Sequence, residues 1–323
     1  MEDSNLSISL LILLNILVII LFINMISYSA VDNERDDEHK ITLVYSESSD
    51  KGPNYNSDKF GVSMLYPSEK DGEEWYMNMS DPSNDKRFHS IQPKHNIISK
   101  NPDVSWKLTS VDSSPKIRMN VFTSSGYHQD RINTLNHSEL ALKGYMQDLT
   151  DWKDVEMTGY VKVNSFESDD KFQWFNRGGI HYDTDSPDAA PCEGVGYKGN
   201  LFFSGNTRFA KEQWHPSYYF TNTRAATDSL EGRWVGYKYI VYNVYVDGKP
   251  AVKLENWLDQ YANGTWAKID EYLDIGGWGA EGDMCEGEPD QLITWGGPVA
   301  TFRWDNASDV DFKYFSVREI EVP

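Results

Sequence analysis

Residues 209–220 read "FAKEQWHPSYYF", and within this run Lys211, Gln213 and His215 take alternate positions. Alternate side chains of a strand leave the same face, so this spacing gathers a cation, an amide and an imidazole on one surface. A second such face occurs in "WVGYKYIVYNV" (234–244), where Lys238, Ile240 and Tyr242 alternate. In "FQWFNRGGIH", Arg177 and His181 fall together if the strand runs on through the glycines, and in "ATFRWD" Arg303 opposes Phe302 and Trp304. Imidazole and phenol groups move protons, while amides and cations offset a developing negative charge. A half-wet antiparallel sheet also alternates polar with apolar residues. His, Gln, Arg, Lys and Tyr, rather than Thr, Ser and Glu, are what mark these faces as a site.

The elements that must position these groups are strands. From "KFGVSMLYP" (59–67) to the end, short aromatic or β-branched runs alternate with Gly, Pro, Asn and Asp turns. Examples are "IRMNVFT" (117–123), "DVEMTGYVKVN" (154–164), "NLFFSG" (200–205) and "AVKLENWLD" (251–259). Many short strands with turn signals between them indicate an all-β sandwich or barrel. "VYVDGKPAVKLENWLD" predicts a strand, an Asp-Gly turn and a second strand. No repeat of fixed period and no further composition boundary interrupts 59–323, which reads as one β-sandwich domain.

Gln213-Trp214-His215, followed by K-x-x-x-Y-N from Lys238 to Asn243, resembles two signatures of the family 7 alginate lyases, which are concanavalin A-like jelly rolls. The resemblance implies β-elimination on a uronic-acid polymer, with Gln213 neutralising the carboxylate, His215 as base and Tyr242 as acid. Lys238 would then line the cleft; Arg177 and His181 match no family motif but could add charge neutralisation, and the alternating polar faces add Lys211 and Arg303 as substrate-binding candidates. Carboxylate neutralisation lets the neighbouring proton leave, and a phenol or imidazole completes departure of the bridging oxygen; no metal is needed. The arginine-rich R-x-E-L-R strand of that family is missing. "VDFKYFSVREIEV" at the end resembles the closing strand of concanavalin A-like sandwiches, a likeness of fold rather than of activity.

Other classes are excluded by what is missing. There is no H-E-x-x-H, no G-x-S-x-G, and no E-x-D-x-E strand to pair carboxylates for glycoside hydrolysis. The formal charge of -20 argues against a nucleic-acid partner, whose phosphates require clustered cations. Asp183, Asp185 and Asp188 are spaced like the opening of a calcium loop but lack its sixth-position Gly and distal Glu, so no cofactor is expected beyond the calcium these acids leave open.

The compartment is read from the ends and the cysteines. "LLILLNILVIILFINMI" (10–26) has the length of a membrane-spanning helix, and residues 1–30 read as an anchor or a signal peptide. Residues 31–58 are an acidic tether. Cys192 and Cys285 each open a "CEG" triplet, and an exported protein would join them as a disulfide. The expected partner is an extracellular polysaccharide, with the membrane engaged through the N-terminal helix. A non-catalytic carbohydrate-binding or adhesion module fits the same residues. A structural cell-surface protein glycosylated at Asn78, Asn136, Asn263 and Asn306 is the third class.

Overall fold

Alternating strands of this kind bury one face each, and two such sheets stack here. A computed structural model describes residues 57–91, 96–128, 142–144, 146–166, 168–179, 195–213, 218–279 and 290–323, all within Gly52–Pro323. The expected anchor (1–30), nearly all of the tether, His181, Asp183 to Asp188, Cys192, His215 and Cys285 lie outside the described residues. Among the described residues no helix is long and apolar enough to cross a membrane.

Numbered in chain order, the first sheet runs β14 (Ala267–Asp274), β13 (Lys249–Asp259), β12 (Val235–Val246), β6 (Val155–Ser165), β16 (Asp309–Glu319), β4 (Trp106–Ser110) and β3 (Asn96–Lys100), with β1 (Glu74–Tyr76) also on β16. The second runs β10 (Tyr218–Phe220), β9 (Asn206–Gln213), β8 (Val195–Phe202), β7 (Lys171–Gly178), β15 (Val299–Asp305), β5 (Lys116–Phe122) and β2 (Phe88–Ile91), with β11 (Arg224–Ala225) on β9. Every pairing is antiparallel, and late strands β15 and β16 insert between earlier ones, giving the jelly-roll sandwich expected from the sequence. The Asp247-Gly248 turn joins β12 to β13 with both residues at positive φ (51° and 74°), the geometry a two-residue hairpin needs.

Aromatic rings fill the space between the sheets. Trp174 meets Tyr237 across the sandwich at 4.6 Å between centroids, and Phe302 stacks on Phe315 at 4.4 Å. Gly159 is required beneath this stack, because a Cβ there would lie 2.3 Å from Phe315. The outer face of the first sheet is closed by the segment 57–68. Its Leu65 and Tyr66 pack on Ile240, Tyr242 and Ile320. Beneath it Glu156 receives Lys238 Nζ at 2.6 Å, Arg318 Nη2 at 3.1 Å and the Leu65 amide at 3.1 Å. A carboxylate sealed from water survives only with such partners.

At one end of the sandwich Asp151 clasps a turn. Its carboxylate accepts the amides of Gln147 (2.5 Å) and Asp148 (3.2 Å) and faces the Thr123 hydroxyl at 3.5 Å. Burial pushes this carboxyl up to about 6, against the pull of those hydrogen bonds. An acid that holds its proton more tightly folded than unfolded makes the native state lose stability as pH rises from about 4 through about 6. The loss is on the order of 2–3 kcal/mol. Asp151→Asn is therefore expected to flatten this part of the stability–pH curve in urea unfolding; an unchanged slope contradicts the assignment. Lys238→Met is expected to cost about 3–5 kcal/mol by leaving Glu156 short of a cation, read by the same method, and a loss below about 1 kcal/mol would contradict the role given to the pair.

Candidate functional site

The expected site residues divide among three layers. Tyr242 and Lys238 leave β12 on the outer face of the first sheet. There the Tyr242 hydroxyl lies 3.3 Å from Glu255 Oε1 and 3.5 Å from the Tyr66 hydroxyl. Burial, with the Glu255 charge, pushes this phenol up to about 12. Glu255 is itself fully engaged, accepting Trp257 Nε1 at 2.7 Å and Lys268 Nζ at 3.0 Å.

Lys211 points between the sheets. Its ammonium meets Asp274 Oδ2 at 2.8 Å and the Trp278 carbonyl at 2.8 Å, and Tyr197 also donates to Asp274, at 2.7 Å. Strand alternation puts Gln213, also buried, on the same inner side. Arg177 has a φ of 72°, which breaks the alternation of β7 and turns its guanidinium inward. It holds Asp154 Oδ1 (3.0 Å), Asn243 Oδ1 (2.9 Å) and the carbonyls of Lys153 (2.9 Å) and Ile293 (2.6 Å), tying several loops together. Gln213 and Tyr242 thus belong to different layers, and Arg303 remains as the expected residue on the outer face of the second sheet.

That face is where polar side chains gather. Cross-strand register aligns Arg118, Arg303, Gln173, Asn200 and Arg208 in one row across β5, β15, β7, β8 and β9. The next row runs Asn120, Thr301, Phe175, Lys198 and Ala210. Glu212 then stands opposite Tyr218. Each of these strands puts its apolar partners, Ile117, Met119, Trp174, Leu201 and Phe209 among them, into the core. The outer polar set alternates with that core, and Arg118, Asn120, Lys198, Asn200, Glu212 and Thr301 are themselves buried.

The electrostatics converge on Glu212. Lys198 pairs with it while its ammonium stands 4.9 Å from the ring centroids of both Phe175 and Tyr218. Burial lowers the Lys198 pKa and the Glu212 charge opposes that, with Arg303 and Arg118 near enough to add repulsion. Burial, then the Glu212 charge and hydrogen bond, push the Tyr218 phenol upward, so it stays a proton-bearing donor. Arg303 is held by Asp305 through Nε at 3.0 and 3.1 Å. Two amides complete the floor. Gln173 donates to Asn200 Oδ1 at 2.8 Å, and Thr301 donates to Asn120 Oδ1 at 2.7 Å. Among the described residues the Nδ2 groups of Asn120 and Asn200 meet no acceptor, and the two residues are 1% and 0% exposed. Such orphaned donors suit an incoming acceptor. One edge opens to solvent, where the Arg208 guanidinium sits 4.0 Å from the centroid of Phe220, a ring 48% exposed.

Sequence reasoning passed over Arg118, Asn120, Lys198, Asn200, Glu212 and Tyr218. The usable signal was polar alternation inside "KIRMNVF" and "VGYKGNLF", where Arg118, Asn120, Lys198 and Asn200 interleave with core residues. Among the described residues no cluster of His, Cys, Asp and Glu could hold a metal ion.

No family model matches the chain, and no curated protein matches it. Among solved structures it overlaps the exoplasmic/lumenal domain of VIP36 in its Ca2+/Man3GlcNAc-bound form, at 10% identity over 73% of this chain and 85% of that one, with a TM-score of 0.41. It overlaps a GlcNAcα1-4Gal-releasing endo-β-galactosidase from Clostridium perfringens at 13% identity and a TM-score of 0.40, covering 78% of this chain but only 64% of the enzyme. A legume lectin-like domain from Entamoeba histolytica overlaps at 11% identity, 74% and 91% coverage, and a TM-score of 0.36. The jelly-roll assignment rests on strand order and register.

Proposed function

We propose that this is an exported carbohydrate-binding sandwich that takes an acidic glycan on the outer face of its second sheet. The observation carrying this reading is the clustering of Arg118, Lys198 and Arg303 beside the unfilled donors of Asn120 and Asn200. Among the described residues the face sets the carboxylates of Glu212 and Asp305 beside these three cations, within a chain of net charge -20. Cations held on rigid strands recognise carboxylate or sulfate groups without ordering cost at the moment of binding, and the exposed Phe220 ring offers a stacking edge to a sugar. The apolar stretch 10–26 supports placement of the domain outside the membrane on a tether.

Binding without catalysis is the better-supported form. Elimination as read from Gln213, His215 and Tyr242 needs those groups around one sugar, and Gln213 and Tyr242 leave different sheets in different directions. The proposal is tested by titrating the protein with sodium polygalacturonate and with neutral dextran. Polygalacturonate is expected to bind, more weakly as salt rises, and Arg303→Gln to weaken it by about tenfold. Equal affinity for dextran, or an unchanged constant in the variant, would contradict the assignment of this face. Growth of near-ultraviolet absorbance during the titration would add lyase activity to binding.

A further inference from the structure

Among the described residues three mid-strand lysines of this sandwich are buried, and two of them have more than one acceptor. Lys238 has Glu156 and Thr158 as partners, at 2.6 and 2.9 Å. Lys211 has Asp274 and two backbone carbonyls, those of Trp278 at 2.8 Å and Asp290 at 3.4 Å. Lys198 differs, since its three donors meet one carboxylate, Glu212, and two ring faces. The same carboxylate attracts Arg303 and draws the Tyr218 hydroxyl. Glu212 is therefore shared by Lys198, Tyr218 and Arg303, the last of which Asp305 also holds, in a face where, among the described residues, two amide donors also lack acceptors. Donors in this excess describe a receptor for an anion already partly filled from within.

We infer that Glu212 is an internal stand-in for the acidic group of the ligand: its carboxylate occupies the cation cluster in the free protein, and an incoming carboxylate or sulfate displaces it from Lys198. The inference rests on reading this face as the glycan site. It makes Glu212 a threshold on affinity, because every acidic ligand must first compete with a tethered anion of high effective concentration. Neutral glycans, having no charge to exchange for that of Glu212, are excluded by the same device.

The test compares the full chain with its Glu212→Gln and Glu212→Asp variants, titrated by calorimetry with polygalacturonate for carboxylates and dextran sulfate for sulfates. Glu212→Gln keeps the side-chain shape and removes the competing charge. It is expected to bind at least one polymer about tenfold more tightly, with a steeper loss of affinity as salt rises. Glu212→Asp keeps the charge but withdraws it by one methylene, and is expected to fall between the two. Should the Gln variant unfold too readily to titrate, tighter binding by the Asp variant supports the inference, and equal or weaker binding overturns it. A folded Gln variant binding no better than wild type overturns it while leaving the glycan site standing. Failure of all three proteins to bind either polymer overturns both.

Discussion

A lysine buried in a β-sandwich must find a carboxylate, because removing its charge from water unpaired costs more than the fold can supply. Among the described residues three strands carry such a lysine, and each finds a different carboxylate. Lys211 reaches across the interior to Asp274 and so is spent on joining the two sheets. Lys238 shares Glu156 with Arg318 beneath the segment that closes the first sheet. Lys198 pairs on the outside of the second sheet with Glu212, among further cations. Two pairs are structural by position. The third is buried as well, and it is the one for which we propose that a ligand competes.

This constraint also explains how far the sequence could be read. The all-β sandwich, the Asp247-Gly248 hairpin and strands such as β5, β6, β12 and β13 were legible because period-two alternation and turn chemistry are local. Strands β3 and β14 passed unnoticed: "NIISK" and "AKIDEYLD" are edge strands that bury little, so their pattern is weak. The site was harder to read for a different reason. Alternation says that Lys211 and Gln213 share a side and that Glu212 takes the other, but not which side faces the core. Lysine on the inside is the less expected choice. It holds only because Asp274 waits in a strand 63 residues away, where the Tyr197 hydroxyl of the neighbouring strand also donates to it. Arg177 misled for a local reason, its positive φ having reversed the expected direction of the side chain.

Binding by this face would use the rest of the molecule as support. The aromatic stack around Phe302, Phe315 and Trp174 fixes β15 and β7 from behind, which holds Arg303 and Gln173 in register in front. The Asp151 clasp secures the Thr123 turn at the end of β5, the strand that bears Arg118 and Asn120. The chain's net charge of -20 opposes the approach of an acidic polymer, so the local cations would also confine where it lands.

The most direct measurement is a crystal structure of the protein with an acidic oligosaccharide. The account predicts the sugar on the outer face of the second sheet, with an acidic group beside Lys198 and an oxygen within hydrogen-bond distance of Asn120 Nδ2 or Asn200 Nδ2. A sugar seated on the first sheet, or one that leaves both amides and Lys198 untouched, would contradict it.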